Sequence, residues 1–200
     1  MTMRRALALV AAILAVLAAV SGSSRPSRGV KVDVAALAHD IEREDDHVTA
    51  IELAEWIKDR KPGLRVLDIR SDSEFAAFHV PSAERVPLSA LAAMKPNANE
   101  TLVLYSEGGA HAAQGWVLLR SLGFSKVYFL RGGLLDWMDD VMSPALADSS
   151  GNAKADSTRA HVAALSRYFG GVPRIGGAPA LPTGTGAAAS AVARVKRRGC

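Results

Sequence analysis

Between His47 and Met142 the spacing of apolar residues changes several times, and each change marks an element. Thr49 and Glu52 stand three apart in front of AIELAEWIKDR, which predicts a capped helix that stops at Lys61, Pro62 and Gly63. RVLDIR then reads as a short buried strand, and Ser71 with Glu74 opens a second capped helix, DSEFAAF. After a turn at HVPSA come a strand, ERVP, and a short helix, LSALAAMK, ended by Pro96. TLVLY is another buried strand and SEGGAH a glycine-containing loop. AAQGWVLLRSL is a helix closed by Gly123, and KVYFL is the last strand before RGG and a helical LLDWMDDVM. Strands alternating with helices at this spacing predict an α/β domain with a mainly parallel central sheet and helices on both faces.

The flanks read differently. Residues 31–46 form an acidic lead-in, with Val34, Leu37, Ala38 and Ile41 at helical spacing. The cluster around His39, Asp40, Glu42, Glu44, Asp45, Asp46 and His47 is read as a solvated face, and no metal site is assigned. Residues 143–200 are expected to be a flexible tail, beginning with the polar linker SSGNAKADST. A short amphipathic helix follows at about 158–169, with Val162, Leu165 and Phe169 on one face that docks on the domain, a membrane or a partner. From Gly170 to Gly186, nine of 17 residues are Gly or Pro, too many for a packed element. Residues 1–22 place two arginines before fifteen apolar residues, Ala6 to Val20. This predicts a signal peptide cleaved after Ser21 or Gly22, or else an N-terminal membrane anchor, and in either case an exported, periplasmic or extracytoplasmic protein.

Composition alters the picture at one point. The formal net charge is +4, yet residues 47–142 hold 10 Lys/Arg against 12 Asp/Glu, net −2, so the excess of +6 lies in the ends. The central domain has no basic bias of the kind nucleic acid selects, whereas the basic ends suit contact with a membrane surface.

LDIRSDSEFAAFHVPSA, LVLYSEGGAH and LGFSKVYFLRGGLLDW, in this order and at these distances, resemble rhodanese-like domains over about residues 47–142. The resemblance implies a single three-layer α/β domain of the fold shared with certain dual-specificity phosphatases. It also implies that the family's catalytic cysteine matches Ser106. In active members that cysteine takes a sulfane sulfur from a donor such as thiosulfate and holds it as a persulfide. The chemistry needs a soft nucleophile that ionises near neutral pH, and a serine hydroxyl does not. Glu107 and His111 stand where active relatives commonly carry arginines, and a carboxylate beside the pocket repels a dianionic donor. The backbone of the loop Ser106, Glu107, Gly108, Gly109, Ala110, His111 and Ala112 still suits an anion, because Gly108 and Gly109 permit a tight turn at a helix start.

The expectation is therefore an anion-binding or protein-interaction module without ordinary thiosulfate sulfurtransferase activity and without a cofactor. Its partner is a small anion or a protein of unknown identity. Asp68 and Arg70 are expected to tie down the loop and the next helix, and His79 to satisfy a turn. Trp116 and Trp137 are expected in the core. Two enzymatic alternatives stand beside this. One is a hydrolase with Ser106 as nucleophile, His111 or His79 as base and Asp68 as orienter. The other is a sulfur carrier using Cys200, the only cysteine, beside Arg194, Lys196, Arg197 and Arg198 on the tail.

Overall fold

The computed structural model describes residue 3 and residues 10–14, 33–149 and 151–175. The chain divides into two compact units, 1–31 and 32–200. In the first, the described residues are helical and exposed. No helix among the described residues is long and apolar enough to cross a membrane. The signal peptide or anchor at 1–22, with its cleavage positions, and the basic terminus ending in Cys200 lie largely or wholly outside the described residues.

The second unit is built on a five-stranded, wholly parallel sheet. In chain order the strands are β1 His47–Val48, β2 Leu64–Asp68, β3 Ala83–Arg85, β4 Thr101–Tyr105 and β5 Val127–Leu130, arranged in space as β1-β5-β4-β2-β3. The central strand is β4, and all five of its residues are buried, as an apolar run flanked by turn residues requires. Its side chains alternate between two cores. Val103 and Tyr105 join Val48, Leu53, Val66, Leu130, Leu134, Trp137 and Leu165 on one face. Leu102 and Leu104 join Leu67, Leu91, Trp116, Leu119 and Phe124 on the other. Trp116 and Trp137 are thus core residues, 2% and 0% exposed.

The helices of this unit are α1 Val34–Glu42, α2 Ala50–Lys58, α3 Asp72–Ala77, α4 Leu88–Leu91, α5 Ala110–Ser121, α6 Gly133–Asp136 and α7 Ala153–Tyr168, with a π-helical turn over Trp137–Met142. Both capping boxes form. In the first, the Thr49 N–H donates to Glu52 Oε2 at 2.8 Å and the Glu52 N–H to Thr49 Oγ1 at 3.2 Å. In the second, the Ser71 N–H donates to Glu74 Oε2 at 3.0 Å and the Glu74 N–H to Ser71 Oγ at 3.3 Å. Bonds from Thr49 hold the Glu52 carboxyl below its ordinary pKa. A depressed carboxyl contributes stability above its unfolded pKa and loses it as pH falls through the folded one. We therefore expect Glu52→Gln to destabilise at pH 7, and the gap from wild type to close below about pH 4 in urea melts at stepped pH.

Three segments differ from the sequence reading. The strand at His47–Val48 is only two residues long, too short to show a period, and is defined by its pairing with Phe129 and Leu130. LSALAAMK is helical only at Leu88–Leu91. The largest difference lies in the presumed flexible tail. The helix there starts at Ala153, capped by Asn152 accepting from the N–H groups of Lys154 and Ala155, so the second half of the expected linker is helical. It packs against α2 and the π-helical turn. Leu165 is buried and Phe169 meets Trp137 edge to face, ring centroids 5.2 Å apart. Beyond it, β7 Arg174–Ile175 pairs in parallel with β6 Ala145–Leu146.

The acidic lead-in is likewise more than a solvated face. Asp46 is buried and 2.8 Å from His47 Nδ1, Arg43 holds Asp45 at 2.8 Å, and Asp40 pairs with Arg120 of α5. Leu37 packs on the domain, whereas Val34 and Ile41 are exposed.

Candidate functional site

Strand β4 ends at Tyr105, and the next residue, Ser106, is 4% exposed. Its Oγ is buried and has no hydrogen-bond partner among the described residues. The chain then turns through Glu107 and Gly108 to Gly109, which sits at φ 88°, ψ −29° as the N-cap of α5. A left-handed N-cap without a side-chain acceptor leaves the first N–H groups of the helix unsatisfied. Among the described residues no backbone carbonyl accepts from the amides of residues 107–112. The carbonyls of Ser106 and Glu107 are instead turned away and accept from Leu134 N at 2.9 Å and Leu135 N at 3.1 Å. With its carbonyls bonded to α6 residues and its amides unpaired at the start of a 12-residue helix, the loop has a backbone shape that favours an anion.

Gly132 and Gly133 support that shape from the far side, a role the sequence reading missed. Both have positive φ, 63° and 61°. A Cβ at Gly133 would lie 2.5 Å from Ser106 O and 2.8 Å from Gly109 N, so only glycine lets α6 approach the loop this closely. The sole signal in the sequence is the pair of glycines in RGG after a strand, which reads equally well as a plain connector.

The remaining candidates fall into separate groups. Glu107 lies half-buried, and Ala110 and His111 are exposed at the rim. Asp68 is fully buried beneath the loop that follows β2. It accepts from Arg70 Nε at 3.0 Å, Arg70 Nη2 at 2.5 Å and the Arg70 backbone N–H at 2.9 Å. Arg70 also donates to Phe78 O at 2.7 Å, and Tyr105 Oη accepts from the Val80 N–H at 3.1 Å. Burial opposes the Arg70 cation, but the bonds and charge of Asp68 outweigh it and raise its pKa. Burial, then the Asp68 charge, pushes the Tyr105 phenol well above its ordinary value. This network pins residues 78–80 against the sheet.

His79 is exposed, 3.0 Å from Phe75 O through Nδ1 and stacked on Phe75 at 4.1 Å. Neither it nor Asp68 is hydrogen-bonded to Ser106, whose hydroxyl meets no base among the described residues, so the hydrolase arrangement is not assembled. No group of three or more His, Cys, Asp or Glu that could hold a metal occurs among the described residues. Cys200 lies outside them.

The family model of the rhodanese-like domain matches residues 49–140. Over 113 residues the chain is 29% identical to the probable adenylyltransferase/sulfurtransferase MoeZ of Mycobacterium tuberculosis, covering 54% of this chain and 28% of that protein. Over 104 residues it is 28% identical to the tRNA uridine(34) hydroxylase of Teredinibacter turnerae, covering 46% and 32%. The chain thus spans less than a third of the length of these two curated relatives. Among solved structures, a human single-domain sulfurtransferase is similar at 28% identity, covering 46% of this chain and 94% of that one with a TM-score of 0.41. A rhodanese-like domain protein of Staphylococcus aureus is similar at 26% identity, covering 48% and 93% with a TM-score of 0.43.

Proposed function

We propose that residues 49–140, which the family model of the rhodanese-like domain matches, are a domain of that kind acting as a binding module, whose loop, residues 106–112, takes a small anion without forming a persulfide. The observation that carries this reading is the buried Ser106 Oγ, unpartnered among the described residues, next in the chain to the amides of residues 107–112, from which no backbone carbonyl accepts. A buried hydroxyl without a partner is costly, and a bound anion that accepts from it recovers the loss. The same hydroxyl is a poor substitute for a thiolate, since it neither ionises near neutral pH nor forms a sulfur–sulfur bond that can be broken again. The chain has a single cysteine, Cys200, so no residue of the domain holds a sulfane sulfur.

The test uses full-length protein carrying Cys200→Ser. It is expected to transfer no sulfur from thiosulfate to cyanide above the uncatalysed rate, and clear turnover overturns the reading. Activity that appears only in the wild type supports instead the carrier role of Cys200. Rebuilding the loop probes the charge argument: Ser106→Cys is expected to alkylate readily but to take up sulfur slowly while Glu107 remains. Adding Glu107→Arg should raise the sulfuration rate at least about tenfold, roughly 1.4 kcal/mol for reversing one charge at a partly exposed site. Equal rates for the single and double variants defeat it.

Export is a second proposal, resting on the apolar stretch Ala6–Val20 behind Arg4 and Arg5. Cell fractionation that finds the protein outside the cytoplasm supports it, and retention in the cytoplasm overturns it.

A further inference from the structure

Away from the loop, the described residues form a cleft of about 460 Å3 where the end of α1 meets α2, α5 and the start of β5. Its lining includes Trp56, Trp116 and Tyr128, the acidic residues Asp40, Glu44, Asp45 and Glu52, and also His47 and Arg120. Three of these carboxylates have partners, Arg120, Arg43 and Thr49 respectively. The Glu44 side chain makes no hydrogen bond or ion pair among the described residues, while its backbone N–H donates to Ile41 O at 3.1 Å. Trp56 already holds one cation, Lys61 Nζ, 3.1 Å from its ring centroid, so the wall has the chemistry that holds guanidinium and ammonium groups.

Charge along the chain indicates what fills the cleft. Residues 33–46 carry six Asp/Glu against Arg43 alone, net −5, and residues 47–142 are net −2. Residues 176–200 hold no Asp or Glu and four cations, Arg194, Lys196, Arg197 and Arg198, within five positions. We propose that this acidic, aromatic-walled cleft binds the chain's own segment Arg194–Arg198. Reach permits it: the 18 residues between Ile175 and Arg194 can span at most about 60 Å, against a domain radius of about 13–15 Å. The docked segment lies beside Arg120, roughly 15 Å along α5 from the loop at Ala110, at a rise of about 1.5 Å per residue. The inference is independent of what the loop binds.

The experiment follows the indole N–H resonances of Trp56 and Trp116 in 15N-labelled full-length protein. Converting Arg194, Lys196, Arg197 and Arg198 to Gln is expected to shift both. About 0.5 M NaCl should move the wild type the same way while leaving that variant in place. A free peptide ARVKRRG should then bind the neutralised variant and bind about fivefold more weakly when Glu44→Gly is added. Glu44 has φ 56°, where glycine is at least as comfortable, so this substitution removes the carboxylate without unfolding the turn. Indoles unmoved by tail neutralisation overturn the proposal, as does peptide affinity indifferent to Glu44→Gly. It is overturned too if neutralising Arg25, Arg28 and Lys31 produces the shift in place of the tail.

Discussion

Replacing Asp68 with alanine is expected to lower stability by about 3–5 kcal/mol, because it leaves a buried guanidinium without its carboxylate. Arg70 is 9% exposed, and three of its N–H groups donate to Asp68. Its remaining acceptor, Phe78 O, does not neutralise a charge. The double variant Asp68→Ala, Arg70→Leu should recover much of the loss, since removing both partners also removes the stranded charge. Urea denaturation of both variants measures the difference. A loss below about 1 kcal/mol for the single change would mean that water reaches Arg70 and the pair is not a buried one.

Gly133→Ala is the second large effect, and it acts on the site itself. The new methyl meets Ser106 O at 2.5 Å and Glu107 O at 2.8 Å, on a residue held at φ 61°. Left-handed strain of about 1–2 kcal/mol and overpacking of about 1–3 kcal/mol add to an expected loss of roughly 3 kcal/mol. The loop must retreat, which breaks the bonds from Leu134 N and Leu135 N that turn its carbonyls away. Anion binding should fall with stability. Gly151→Ala is the control: it also has positive φ, 70°, but nothing lies within 4 Å, so it should cost about 1 kcal/mol and leave binding intact. Equal losses at the two positions would show that backbone strain alone governs Gly133.

What could be read in advance was whatever is decided locally. Thr49 with Glu52 and Ser71 with Glu74 cap their helices through contacts within four residues, so the sequence displays them directly. TLVLY betrays a central strand because both of its faces are apolar. The pairing of β1 with β5 depends on residues more than eighty positions apart, and two residues carry no period. The first turns of helix α7, Ala153 to Ser157, escaped for a related reason, although a helix over about 158–169 was expected. These turns are polar, and the burial that holds the helix comes from a few residues, Ala163, Leu165 and Ser166, docking on distant elements.

The site divides along the same line. The loop's glycines and the serine after β4 are visible in SEGGAH. The absence of a partner for Ser106 Oγ is a property of its surroundings, and so is the wedge formed by Gly133. A fragment ending at residue 150 lacks Leu165, part of the same core as Trp137, and Phe169, which meets the Trp137 ring edge to face. Functional tests are therefore best made on the full chain.

The central claim, that the loop binds an anion without chemistry, is tested most directly by titrating 15N-labelled full-length Cys200→Ser protein with thiosulfate. Amide resonances and intact mass are followed together. Saturable shifts concentrated at the amides of residues 107–112 are expected, with no gain in mass and with binding weakened at least about tenfold by Ser106→Ala, as for loss of a hydrogen bond to a charged group. A mass increase of one sulfur atom on the domain, or a titration that leaves those amides unmoved, would contradict it.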